Sequence, residues 1–389
     1  MDPVRNPYAP GAGRKPAALV GRDEALKAWA TSMKRAEINR TDQPFVLYGL
    51  RGVGKTVLLS EFRRNTEKRE WIYAQIEAGS GKSLRELLGE ALYAPLVDLA
   101  RPSAGKKLLK ALKTALSFKA SYDTTGVWSF GLDLSRISGG GADTGILETD
   151  LKKLVHDLSG AAEEEGVGLA ILVDEAQDLS AEELATLCTI AHAAAQDNWP
   201  VLFAFAGLPS LPRIMAEARS YAERFQFMNI QQLDNAVVAE ALTIPAAQED
   251  AGWDDDAIDV VVDASGRYPY FIQQFGQETW NAATGPQISL TDAKLGVSLG
   301  NAQLDNGFFR ARWDRATKSE QAYLRAMALD GDEGSSSGEV ASRLARTPAS
   351  LGPTRASLIA KGLVYAPEHG VIAFTVPGMA AFIGRQVAL

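Results

Sequence analysis

The chain predicts an α/β fold: a parallel sheet covered by helices, followed by a helical lid and a small C-terminal module. Three observations carry this. Short apolar runs alternate with helix-like segments from Ala18 onward. Strand signals fade after Leu233 and helical periodicity takes over. From about Asn306 a third unit begins, which ends in a hairpin pattern. A length of 389 residues also exceeds one ordinary core. The expected division is an extended arm over 1–17, a core over 18–232, a lid over 233–305 and a module over 306–389.

The first stretch is rich in proline and glycine. Strands are expected at Phe45–Tyr48, Trp71–Ile76, Leu169–Val173, Val201–Ala206 and Phe225–Ile230. Between the second and third lies a long excursion. It holds a basic helix from Lys106 to Lys119 with Lys106, Lys110 and Lys113 on one face, read as a solvated face. An alternating run over Val127–Leu134 and a glycine-rich turn over Gly139–Gly145 follow.

Hydrophobic content of 46% and charged content of 23% are those of a globular protein. One cysteine, Cys188, rules out an internal disulfide framework and, with no signal-peptide pattern, points to the cytoplasm. No apolar run is long enough to cross a bilayer. A net charge of −8 argues against a nucleic-acid-binding surface over the whole body, though not against one basic module.

Gly49-Leu-Arg-Gly52-Val53-Gly54-Lys55-Thr56 follows the first strand and opens a helix at Val57. Flanking glycines let backbone N–H groups approach phosphates, and the helix N-terminus adds positive potential. This is the P-loop pattern. In it Lys55 reaches the β- and γ-phosphates of ATP and the Thr56 hydroxyl ligates Mg²⁺. The second motif, Leu169-Ala-Ile-Leu-Val-Asp174-Glu175, ends a buried strand in two carboxylates. Asp174 is suited to the Mg²⁺ shell and Glu175 to polarising the attacking water. An ATPase is the expected enzyme.

On these motifs the chain resembles AAA+ ATPases of the origin-recognition type and the related STAND ATPases. Leu19-Val20-Gly21-Arg22-Asp-Glu resembles the opening motif that packs near the adenine. The run Val201 to Leu211 resembles the strand carrying sensor 1, with Gly207 where a polar side chain is usual and Ser210 nearby. Glu223-Arg224-Phe225 resembles the segment whose arginine enters a neighbouring subunit's site; that implies ATP-dependent homo-oligomers, with Arg219 and Arg213 behind Arg224. Ser265-Gly-Arg267-Tyr-Pro269-Tyr stands where sensor 2 is placed. Pro269 there is closer to the STAND element that contacts the base, and Arg267 is the candidate phosphate contact.

Residues from Phe308 to Leu389 read as a winged helix. A capping box at Thr317–Glu320 opens one helix, Gly338–Arg346 is a second, Ser350–Lys361 is the recognition candidate, and a hairpin turns at His369-Gly370. In that arrangement Arg355 and Lys361, with Thr354 and Ser357, are the double-stranded DNA contacts. From Arg310 onward ten basic residues face seven acids, so the module carries +3 and the remainder −11. The leading expectation is a DNA-associated AAA+ ATPase. The alternative is a STAND-like switch whose ATP state controls a protein partner; a small-molecule kinase has no use for the lid and the winged helix.

Overall fold

The computed structural model describes residues 1–99, 105–121 and 140–386. All five expected strands form: β1 (Phe45–Tyr48), β2 (Ile72–Glu77), β3 (Leu169–Asp174), β4 (Val201–Gly207) and β5 (Gln226–Asn229). They pair in parallel in the order β2-β3-β4-β1-β5. Every residue of β3 and β4 is buried, as continuous apolar runs require of central strands. β2 lies between the two motifs in sequence but takes the sheet edge. It is β4 that separates P-loop and Asp-Glu strands in space.

Helices α1 (Asp23–Ala36) and α2 (Lys55–Glu67) cover one face of the sheet. There Trp29 stacks on Phe62 at 4.6 Å, with Phe45 edge-on to both. The other face carries α3 (Leu84–Leu99), α4 (Lys106–Ala120), α5 (Leu147–Glu164), α6 (Ala181–Gln196) and α7 (Leu211–Ala218). The basic face of α4 is not simply solvated. Lys110 reaches the buried Asp157 of α5 at 2.7 Å and Lys107 reaches Glu163 at 3.2 Å. Burial alone raises the pKa of Asp157, but hydrogen bonds from Lys110, Thr114, Lys153 and His156 hold it down at about 2. Residues 140–142 are tied back to α4 through the Thr114 and Ser117 hydroxyls. The alternating run expected over Val127–Leu134 lies outside the described residues.

The lid holds α8 (Asn235–Gln248), α9 (Asp255–Ser265), α10 (Pro269–Ala282) and α11 (Leu290–Gln303), with the short strands β6 (Gly252–Trp253) and β7 (Gln287–Ile288) paired in parallel. The helix does not stop at the boundary expected near residue 305. It continues as a π turn over Leu304–Phe309 into α12 (Arg310–Trp313). Beyond it come α13 (Lys318–Ala328), β8 (Ser335–Ser336), α14 (Ser337–Arg343), α15 (Pro348–Ala360), β9 (Val364–Tyr365), β10 (Val371–Phe374) and α16 (Met379–Arg385). The three strands form an antiparallel sheet in the order β8-β10-β9. Lid and C-terminal module share one apolar core, running from Trp253 and Phe271 through Phe309 to Phe382.

The N-terminal arm belongs to the lid. Tyr8 is buried, its hydroxyl donating to the Leu242 carbonyl and accepting from Trp253 Nε1 at 2.9 Å. Asn6 donates to the Gln277 carbonyl at 3.0 Å, and Trp280 Nε1 donates to the Asp2 carbonyl at 2.9 Å. Among the described residues no helix is long and apolar enough to cross a membrane.

Candidate functional site

The P-loop turns between β1 and α2. A Cβ on Gly49 would sit 2.2 Å from the Ile230 carbonyl oxygen, so only glycine passes β5 here. Gly52 (φ 89°) and Gly54 (φ 95°) are left-handed, which turns successive N–H groups into the concavity. Lys55 is buried, and its Nζ donates to the Gly49 and Leu50 carbonyls at 2.9 and 2.8 Å. Burial pushes its pKa down to about 8; Glu175 and Asp174 oppose that and Arg51 adds to it. The cavity wall continues through Val53, Thr56 and Val57.

Asp174 is buried at the end of β3 and accepts from the Glu175 N–H at 2.9 Å. Burial raises its pKa, while a hydrogen bond with the Thr56 hydroxyl and one from the Glu175 N–H act the other way. Hydroxyl and carboxylate thus converge as hard oxygen ligands do. Glu175 has φ 48° and ψ 40°, a left-handed conformation costing a non-glycine residue about 1–2 kcal/mol. That turn aims its carboxylate at the cavity, where Gln177 Nε2 donates to it at 2.6 Å and Arg51 Nη2 lies 3.5 Å away.

Gln177 accounts for the glycine at the end of β4. Its Oε1 accepts from the Leu208 N–H at 3.0 Å, and a Cβ on Gly207 would lie 2.4 Å from that oxygen. The short helix after Glu175 thus places an amide against the end of β4, where the side chain is absent. Ser210 is buried at the start of α7 and has no side-chain cap bond there.

The remaining residues singled out from the sequence divide. Val20 and Pro269 line the cavity, and the Tyr270 N–H donates to the Gly52 carbonyl at 3.2 Å, joining lid to P-loop. Gly21 (φ 67°) passes close to Val237 of α8. Arg22 also lines the cavity, but its guanidinium clamps the Val53 and Gln231 carbonyls at 2.9 and 2.8 Å. Arg267 is not among the lining residues; its backbone is left-handed and its carbonyl accepts from Leu233 at 3.0 Å. Arg224 is exposed outside the cavity, while Arg213 pairs with Glu217 at 2.7 Å and Arg219 lies 3.6 Å from Glu148.

The residues expected to contact DNA make bonds within the module. Lys361 donates to Glu320 Oε2 and Ser357 to Glu320 Oε1, both at 2.6 Å, and Arg355 donates to the Val371 carbonyl at 3.2 Å. Thr354 is half-buried. Burial raises the Glu320 pKa, but these partners and Thr317 hold it at about 2. The exposed residues of α15 are Pro348, Ala349, Ser350, Gly352, Pro353, Ala356, Ile359 and Ala360, none of them a cation. Periodicity marked the helix; it did not show that its cations close the module's own core.

Sequence reasoning missed Arg51, Phe308, Arg312 and the arm residues 9–14 and Pro16, all of which line the cavity. Arg51 sits at an unspecified position of the P-loop pattern, and its N–H donates to the Thr375 carbonyl at 2.9 Å, across to the C-terminal module. Arg312 comes from α12, beyond any local motif.

Residues 18–204 match the family described as AAA ATPase domain, and residues 306–383 match a domain of unknown function (DUF8462). No curated protein matches the chain. A solved Walker-type ATPase of Pyrococcus abyssi is similar at 16% identity and a TM-score of 0.55, covering 94% of this chain and 96% of its own. The Aeropyrum pernix ORC1 protein in complex with DNA aligns at 14% identity and a TM-score of 0.45, covering 95% and 94%. The Thermotoga maritima RuvB Holliday junction branch migration motor aligns at 11% and 0.45, covering 95% and 96%. With its P-loop, its Asp-Glu strand end and its parallel five-stranded sheet, the chain has the fold of P-loop NTPases, and its residues 18–204 are similar to the AAA ATPase domain family.

Proposed function

We propose that the protein binds MgATP, hydrolyses it, and uses the nucleotide to set how its C-terminal module, a winged helix, sits on the P-loop. The observation that carries this is the hydrogen bond from the Arg51 N–H to the Thr375 carbonyl. Phosphates held by the P-loop backbone and a module bonded to that same backbone share one loop, so each biases the other. In this reading Lys55 and the loop N–H groups bind the phosphates, and Thr56 and Asp174 hold Mg²⁺. The cation supplies charge neutralisation to the phosphates when bound. Glu175 orients and polarises the attacking water, with Gln177 fixing its carboxylate. Arg224, exposed, is available to a neighbouring copy's site.

Among the partners, the cation-free outward face of α15 favours a protein over duplex DNA. The winged-helix order of elements and the +3 charge of the module are what support DNA as a second reading. The test is ATP turnover by wild type and Glu175→Gln, with and without duplex DNA, across a salt series. Turnover in wild type, lost in Glu175→Gln with nucleotide binding retained and no response to DNA, is the expected result. DNA-stimulated turnover that falls with salt would restore the DNA reading. Absent nucleotide binding would overturn the whole proposal.

A further inference from the structure

Resting on the ATP-binding reading above, we propose that Arg312 is the residue by which the C-terminal module grips the γ-phosphate end of ATP. Its side chain lines the same cavity as Lys55, Thr56 and Glu175. The guanidinium is held in place, lying over the Phe308 ring at 3.9 Å from its centroid and donating through Nη1 to the Phe308 carbonyl at 2.7 Å. Phe308 is itself stacked on Tyr270 of the lid at 4.8 Å. These contacts fix the group while leaving its other N–H donors uncommitted among the described residues.

What surrounds Arg312 is of the wrong sign for a structural ion pair. Among the described residues no carboxylate lies within ion-pair distance, and the charged groups that act on it are Arg51 and Arg315. Burial first, then those two cations, push its pKa down to about 10. A second unmet donor sits nearby, since Arg51 Nε is buried with no hydrogen-bond partner among the described residues. Arg312 is itself half-buried, and a half-buried cation with no carboxylate of its own is costly unless a ligand supplies an anion. The position along the nucleotide follows from Arg51. It pairs with Glu175 at 3.5 Å, and Glu175 marks the end where the phosphate bond breaks. Apolar residues Pro10, Leu19, Val20 and Leu233 line other parts of the wall and suit a base. ATP and ADP therefore differ in what they offer Arg312, and α12 continues the lid helix into the module.

The test uses the full chain and fluorescent ATP and ADP analogues with Mg²⁺, titrated against wild type, Arg312→Ala and Arg312→Lys. Arg312→Ala is expected to lose roughly 10- to 100-fold in ATP affinity and less than about 3-fold for ADP, with Arg312→Lys recovering part of the loss. Hydrogen exchange across 304–328 gives a readout free of turnover. It should slow more with ATP than with ADP in wild type, and equally with both in Arg312→Ala. If Arg312→Ala folds poorly, Arg312→Met keeps an apolar stem against Phe308 and is read in the same way. A variant that keeps the wild-type ATP-to-ADP affinity ratio overturns the role of Arg312. Wild type that binds neither nucleotide overturns the underlying reading instead.

Discussion

Gln177→Ala is expected to disable hydrolysis while sparing nucleotide binding. The side chain makes two bonds: one from Nε2 to the Glu175 carboxylate at 2.6 Å, and one accepted by Oε1 from the Leu208 N–H at 3.0 Å. A hydrogen bond to a charged group contributes about 1.5–3 kcal/mol and a neutral one about 1 kcal/mol. Without the first, Glu175 keeps only the longer contact to Arg51 at 3.5 Å, which draws it away from a water-activating position. A misplacement on the order of 1 Å costs about 100-fold in rate, so phosphate release should fall roughly 10- to 100-fold. Gly207→Ala should reproduce the loss by another route, because its Cβ would meet Gln177 Oε1 at 2.4 Å and expel the amide. The double variant should then be no worse than the worse single variant, as expected when both remove one interaction. Steady-state phosphate release, with fluorescent-nucleotide binding as control, measures this. Turnover of Gln177→Ala within 2-fold of wild type, while Glu175→Gln is dead, would refute the positioning argument.

Two further outcomes follow from burial. With the Lys55 pKa near 8 in the free protein, ATP affinity should hold level up to about pH 8 and fall about tenfold per pH unit above it, as the ammonium that the phosphates need is lost. Since that pKa lies below the ordinary lysine value of 10.5, the nucleotide-free protein gains stability over the same rise; titrations of affinity and of melting temperature across pH 7–9.5 should move in opposite directions. Tyr8→Phe leaves the Leu242 carbonyl and Trp253 Nε1 without their partner, a cost of about 1–3 kcal/mol. Melting should show that loss, and ATP affinity should drop with it because residues 9–14 and Pro16 form part of the cavity wall.

The sheet was legible because parallel strands buried on both faces read as continuous apolar runs, and β3 and β4 are buried throughout. The phosphate loop was legible for a different reason: its chemistry is local, packed into eight consecutive residues from Gly49 to Thr56. β8, only Ser335–Ser336, offers no periodicity to read. The rest of the site is assembled from distant segments. Gln177 could be suspected only once Gly207 was seen to lack a side chain, and Arg312 reaches the cavity through a helix that runs without a break from lid to module. Arg355 and Lys361 show another limit of local reading. A cation on an amphipathic helix looks like a ligand contact until the carbonyl or carboxylate that holds it is known.

The attachment of the arm to the lid also sets the order in which a new chain becomes competent. Tyr8 waits for Leu242, and Asp2 for Trp280, separations of 234 and 278 residues. At synthesis rates of about 5–20 residues per second, that delay is roughly 10–60 s. Through that interval the arm has no dock, and for most of it, until residues 201–229 are made, β1 lacks both β4 and β5. An emerging chain therefore exposes apolar strand edges before it can hold nucleotide, and its folding is dominated by non-local pairing of the slow kind. Chaperone dependence during synthesis, and poor recovery from dilution out of denaturant without ATP, are the expected cost of a pocket walled by the N-terminal arm together with Phe308 and Arg312, about 300 residues on.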